Sequence, residues 1–169
     1  MDKADWDYLC DRRGDIRLRA LANRMYQQER QRIFETREGL VKVASLVAGS
    51  VALANVTRPD VIRWSAAVIF AGTAMALVFA WGSKARDAAR RSAEWANLEK
   101  EMEEAGERTF TEPQLAVWAG KCNGLEAGEP AMHPGLWERC YLRACEALGS
   151  KPKTPGRWWD RVRPAIVIH

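Results

Sequence analysis

Histidine is scarce in this chain of 169 residues: there are two, His133 and His169, which leaves little for general acid and base work. The catalytic signatures that need a fixed spacing are missing too. There is no G-x-S-x-G, no Walker-type phosphate loop, no H-E-x-x-H, no G-x-G-x-x-G and no repeated H-x-D. Acidic residues such as Glu94, Glu99, Glu101 and Glu103 read as the solvated face of a helix. The chain is therefore expected not to be an enzyme and to use no cofactor. Its four cysteines, Cys10, Cys122, Cys140 and Cys145, include no C-x-x-C pair, and reduced thiols are expected. Cys122, His133, Cys140 and Cys145 are conceivable zinc ligands, but their spacings of 11, 7 and 5 match no common ligand pattern. Residues 1–20 are charged and lack an apolar signal-peptide region, so membrane insertion, if it occurs, is expected to be directed from within the chain.

What is present is one concentrated apolar stretch in an otherwise polar chain. Charged residues make up 28% of the sequence and the formal net charge is +4, so apolar character is local and invisible in the mean. From Leu40 to Val56 the sequence reads LVKVASLVAGSVALANV, and from Val61 to Trp81 VIRWSAAVIFAGTAMALVFAW. The second run is uncharged from Trp64 to Trp81, 18 residues or roughly 27 Å of helix, close to the hydrocarbon thickness of a bilayer. The first has 14 uncharged residues after Lys42, a length also found in buried soluble helices, and Lys42 would have to snorkel for it to cross. Asn55 to Pro59 carries the signals of a helix stop and restart, with Thr57 or Arg58 as cap and Pro59 in the first turn. The expected fold class is thus all-α, a two-span transmembrane hairpin over 40–81. The alternative is the central hairpin of a soluble bundle, against which stands the second run, apolar all round rather than along one stripe.

Flanking bases are asymmetric. Arg30, Arg32, Arg37 and Lys42 precede the first run and Lys84, Arg86, Arg90 and Arg91 follow the second, against Arg58 and Arg63 around the link. Eight against two places both termini on the cytoplasmic side of a bacterial inner membrane. Eight tryptophans against three tyrosines suit anchoring at a membrane interface, though a packed core could use them too.

Around the hairpin the pattern is helical. Residues 1–39 hold a helix from Asp15 to Glu38 that should run into the first span. Residues 82–149 begin with a continuation of the second span through Trp95, Leu98 and Met102 to a C-cap at Gly106. If both continuations are unbroken, a cytoplasmic stalk of about 30 Å results. Thr111, Glu112 and Pro113 start a further helix, and Pro134 another with Leu136, Cys140, Tyr141, Ala144 and Leu148 on one face and Gly149 past its end. Residues 150–169 form a basic tail with Trp158 and Trp159, suited to an anionic leaflet or to docking on its own protein.

The basic helix from Tyr26 to Phe34, the two apolar runs and the helix EWANLEKEMEE (Glu94 to Glu104) together resemble the SLATT domain, a two-transmembrane effector domain of bacterial anti-phage and nucleotide-signalling systems. LEAGEP (Leu125 to Pro130) and LWERCYLRAC (Leu136 to Cys145) are similar to the C-terminal part of that family. The resemblance spans about Ala20 to Gly149 and rests on helix order with Glu94, Trp95 and Leu98; no fused sensor domain is apparent. It implies a membrane pore that depolarises the cell on infection, gated by a partner or by a nucleotide or oligonucleotide signal from a separately encoded nucleotidyltransferase.

Two helices cannot enclose an aqueous path, so such a pore needs several copies in the bilayer; a homo-tetramer would supply eight helices, enough for an inner and an outer ring. Lys42, Ser45, Gly49 and Ala52 are the candidate pore lining, with Ser65 and Thr73 competing. Small residues at four-residue spacing, among them Ala44, Ala48 and Ala52 or Gly72, Ala76 and Ala80, equally serve close helix packing. Arg30, Arg32, Arg37, Lys84, Arg86, Arg90 and Arg91 are candidate phosphate contacts, with topology and anionic lipid as the simpler explanation. A different functional class is a membrane-anchored scaffold that recruits a partner through residues 107–169.

Overall fold

The computed structural model describes residues 3–152; the basic tail expected from Ser150 onward lies outside them from residue 153. Among the described residues the chain is all-helical: α1 (Lys3–Ala54), α2 (Pro59–Phe79), α3 (Trp81–Glu104), α4 (Glu112–Ala127) and α5 (Pro134–Ala147). They form two compact units, one from residues 3–29 with 89–152 and one from residues 30–88.

The first unit owes its core to α1. Helix α1 starts at Lys3, twelve residues before the expected Asp15, and runs through Gly14. A mid-helix glycine costs about 1 kcal/mol, but Leu9, Ile16 and Ala20 bury one face against Trp95, Leu98 and Met102 of α3 and Leu115, Trp118 and Cys122 of α4. Packing therefore outweighs propensity. Trp6 stacks on Phe110 at 5.1 Å, and Arg13 lies over the same ring while donating to the Met102 carbonyl at 2.9 Å. A second face of α1, with Leu18, Leu21 and Ala22, packs on Ala144 and Cys145 of α5.

The helix starts at Thr111 and Pro134 and the glycines at 106 and 149 fall where the sequence places them, and the structure adds two capping contacts. Thr111 caps α4 in a capping box with Gln114, whose side-chain oxygen accepts from the Thr111 backbone N–H at 2.8 Å. His133 caps α5 by accepting from the Leu136 N–H through Nδ1 at 3.3 Å, and its own N–H donates to the Tyr26 hydroxyl at 2.8 Å. Gly106 and Gly149 follow α3 and α5 with φ of 77° and 63°, the left-handed turn that ends a helix.

In the second unit the end of α1 and α2 form an antiparallel hairpin that continues into the first turns of α3. Here the expected continuation of the second run is interrupted. Ala80 adopts φ 48° and ψ 42°, a left-handed conformation that costs an alanine roughly 1–2 kcal/mol. Its N–H still donates to Ala76 and its carbonyl accepts from Ser83 and Lys84, so the chain caps one helix and starts the next within a single residue. Phe79 and Trp81 stack across the break at 5.4 Å and 6° between planes. A Cβ at Gly82 would lie 2.8 Å from a carboxylate oxygen of Glu38, so a larger residue there would displace the end of the Glu38 side chain.

Of the cysteines, Cys122 sits in the cluster around Trp95 and Cys145 in the separate one around Leu21, while Cys10 is exposed. Among the described residues no three His, Cys, Asp or Glu side chains are grouped to hold a metal ion. Burial pushes the Cys122 and Cys140 thiols up to about 11. Native protein at mildly alkaline pH is accordingly expected to react rapidly with one equivalent of maleimide, at Cys10. The other three thiols should react after denaturation; mass spectrometry showing a second rapid adduct would contradict this packing.

Candidate functional site

The hairpin is held together by small side chains. On α1, Val41, Ser45, Ala48 and Ala52 recur every three or four residues and are half-buried; facing them on α2 are Ser65, which is buried, and Ile69, Gly72 and Ala76, which are half-buried. A Cβ added at Gly72 would meet Val41 Cγ1 at 3.3 Å and Ser45 Oγ at 3.6 Å, so the backbones approach closely at this level. The link needs no side-chain cap. Arg58 is the N-cap residue in extended conformation without a capping bond from its side chain, Pro59 supplies the first helical turn, and the Arg58 N–H donates to Asn55 O at 2.9 Å.

Outside this seam the hairpin is bare. Of eighteen large apolar side chains exposed among the described residues, fifteen lie between Leu40 and Phe79, Trp64, Leu77 and Val78 each more than three-quarters exposed. The helix beginning at Pro59 is the one described helix long and apolar enough to cross a membrane, and only 6% of its apolar window is buried. Three polar side chains of the hairpin bond their own helix: Ser50, Asn55 and Thr73 donate to the carbonyls of Leu46, Val51 and Ile69, at 2.9, 3.0 and 2.8 Å.

Three of the four candidate lining residues come together. Ser45, Gly49 and Ala52 share a shallow groove of about 560 Å³ with Leu46, Leu53 and Ile62. Lys42 lies apart from it and pairs with Glu38 at 2.7 Å. That pair, with Arg86 beside it, holds the Glu38 carboxyl below the usual range. Of the competing pair, Thr73 is exposed and Ser65 is buried.

The seven candidate basic residues divide. Arg30, Arg32, Arg37, Lys84 and Arg86 belong to the hairpin unit; Arg90 and Arg91 belong to the other, where Arg90 pairs with Glu94 at 3.6 Å and Arg91 approaches Gly128. Within the hairpin unit, Arg30 and Lys84 converge on one ring: the guanidinium carbon lies 5.7 Å and the ammonium 6.0 Å from the centroid of Phe34, which is fully buried. Phe34 as a platform and Glu38 as a partner were not evident from sequence. The i, i+4 spacing of Glu38 and Lys42 was the readable signal for the second; only the fold brings Lys84 to Phe34.

The first unit holds a second feature. Arg19 binds Glu126 through two nitrogens and Asn123 at 2.8 Å, and the hydrogen bond from Arg19 to Glu126 raises the guanidinium pKa. Asn23 donates to Glu126 at 3.1 Å and accepts from Trp137 Nε1 at 3.3 Å. Above this network opens a mostly apolar pocket of about 570 Å³ lined by Leu18, Met132, Trp137 and Tyr141. Nearby along α1, Gln27 is wholly buried with neither amide atom hydrogen-bonded. Glu99 faces Arg24 at 3.3 Å, yet its burial raises its pKa.

No model of a known protein family matches this chain, and neither a curated protein nor a solved structure matches it significantly.

The seam can be tested directly. Gly72→Leu forces a branched side chain against Val41 and is expected to cost about 1–3 kcal/mol of hairpin stability. Thr73→Leu, on the exposed side, is expected to cost little. Thermal unfolding of both variants in detergent checks this, and equal midpoints would remove Gly72 from the seam.

Proposed function

We propose that this chain is an integral membrane protein whose hairpin crosses the bilayer twice, and that several copies assemble into a gated pore that depolarises the cell, in keeping with the resemblance to SLATT effectors of bacterial antiviral defence. The observation that carries the reading is the exposed apolar girdle between Leu40 and Phe79. Lipid is the solvent that matches it, and helices whose hydroxyl and amide groups bond their own carbonyls are what lipid tolerates.

The two spans contribute unequally. Uncharged helix in α1 runs from Val43 to Ala54, about 18 Å at 1.5 Å per residue, against roughly 30 Å of hydrocarbon. Snorkelling by Lys42, local thinning of the bilayer and shielding by neighbouring copies make up the difference. The excess of bases on the two outer flanks favours termini on the cytoplasmic face. The groove along Ser45, Gly49 and Ala52 is the surface left for a neighbouring hairpin, and thus for an inner ring whose mouth carries the Lys42–Glu38 pair. Basic residues flanking the hairpin are the candidates for meeting a phosphate-bearing signal or an acidic partner that opens it.

Gly49 separates assembly from folding, because a Cβ there meets nothing within 4 Å in a single chain. Gly49→Leu is expected to leave the protein folded and membrane-bound. It should reduce dye-reported depolarisation on overproduction, and ion flux in reconstituted vesicles, by tenfold or more. Vesicles that stay silent with the wild-type chain and every neighbouring gene product would refute the pore. A membrane-anchored scaffold is the second reading, favoured by the apolar pocket at Met132, Trp137 and Tyr141; it would show as activity untouched by Gly49→Leu but lost on Trp137→Ala.

A further inference from the structure

Outside the hairpin three large apolar side chains are exposed among the described residues, Tyr8, Val117 and Met132. Met132 belongs to the mostly apolar pocket of about 570 Å³ that Leu18, Trp137 and Tyr141 also line. Trp137 and Tyr141 form an aromatic wall, stacked at 5.2 Å with 10° between planes, and both are only half-buried. The polar groups around this wall satisfy one another. Arg19 pairs with Glu126, Asn23 links Glu126 to the Trp137 indole N–H, and Asp15 and Tyr141 are engaged by neighbours as well. A charged or hydrogen-bonding ligand would have to break these bonds to gain its own, whereas an apolar ring needs no such exchange. The pocket therefore selects an aromatic or aliphatic group.

The chain's own continuation starts beside this pocket. Helix α5 ends at Ala147, about 9 Å along its axis from Tyr141 and about 15 Å from Trp137. Gly149 then turns with φ 63° and the Ser150 N–H donates back to Cys145 O at 2.9 Å, so the backbone leaves the helix axis there. Eight residues separate Ser150 from Trp158, a reach of up to about 27 Å, and they include Pro155 and Gly156, a turn-forming pair. Residues 153–169 carry Trp158, Trp159 and the apolar run Ala165 to Ile168. Charge agrees in sign: Lys153, Arg157, Arg161 and Arg163 stand against Asp160 in this segment, and the pocket rim holds Asp15 and Glu126 against Arg19.

We propose that residues 153–169 fold back on the same molecule and seat an indole of the Trp158–Trp159 pair in this pocket, against Met132, Trp137 and Tyr141. Tethering through so short a segment gives an effective concentration on the order of 1 mM, which favours the molecule's own tail over a separate occupant. The scaffold reading draws on the same pocket, and a partner of that kind reaches it by displacing the tail. The membrane reading is not involved.

The test places a reporter on each side of the contact, in the full chain carrying Cys10→Ser in a mild neutral detergent. Maleimide labelling of Met132→Cys reports the pocket, and trypsin cleavage after Arg161 reports the tail. Slow labelling of the buried Cys122, Cys140 and Cys145 shows the fold intact in each variant. Met132→Cys is expected to label at least tenfold more slowly with the natural tail than with Trp158→Ser and Trp159→Ser together, whereas Val117→Cys, exposed and outside the pocket, labels fast with either. Cleavage after Arg161 is expected to be at least tenfold faster in Trp137→Ala. Equal labelling of Met132→Cys with and without the two tryptophans, or cleavage indifferent to Trp137→Ala, overturns the proposal. Shielding of Arg161 that appears only when phosphatidylglycerol vesicles are added overturns it in favour of the leaflet. Protection lost on dilution of the protein overturns docking on the same molecule in favour of a neighbouring copy.

Discussion

Everything in the hairpin answers to one constraint: fifteen large apolar side chains stand uncovered on two helices that bury only a narrow seam between them. Transfer of each such side chain from water is worth about 1.5–3 kcal/mol when complete. Even half exposure across the girdle then amounts to on the order of 15 kcal/mol, comparable with the whole stability of a domain. The first unit is built differently, with Trp95, Leu98, Met102, Leu115 and Leu136 inside and charged residues outside. The contrast within one chain, between a unit with a conventional core and a unit whose large apolar side chains face outward, is the feature from which the membrane proposal is drawn.

Small residues make that inversion workable. Glycine at 72 lets α1 and α2 meet closely, so that their association does not depend on large side chains, which stay on the outer surface of the hairpin. Glycine at 82 lies beside the Glu38 carboxylate where α3 begins, and Ala80 absorbs the change of helix in a single left-handed residue. At this end of the hairpin the aliphatic girdle gives way to the stacked Phe79 and Trp81 and to the Glu38–Lys42 ion pair.

Much of the helical architecture could be read from residue order alone, because its signals are local. Thr111 with Pro113, Pro134, Gly106 and Gly149 each act within one turn, and the stripe of Trp95, Leu98 and Met102 is a periodicity. What escaped was non-local. Helix α1 extends back to Lys3 because Trp6 finds Phe110, far away in the chain, against the preference of Gly14. The break at Ala80 falls on the best helix former of all, so no propensity scale could place it. Helix α1 also stops at Ala54, short of Val56, which trims the first apolar run below the length its composition promised. For the candidate site, the grouping of Ser45, Gly49 and Ala52 was legible from spacing, whereas the pairing of Lys42 with Glu38 and the convergence of Arg30 and Lys84 on Phe34 depend on where side chains point and which helices meet.

The membrane assignment of residues 40–79 is tested most directly by alkaline carbonate extraction of cells producing the full chain, followed by flotation of the lipid fraction. The account predicts that the protein stays with the floating lipid after extraction and leaves it only in detergent. A chain released into the carbonate supernatant, and monodisperse there without detergent, would contradict it.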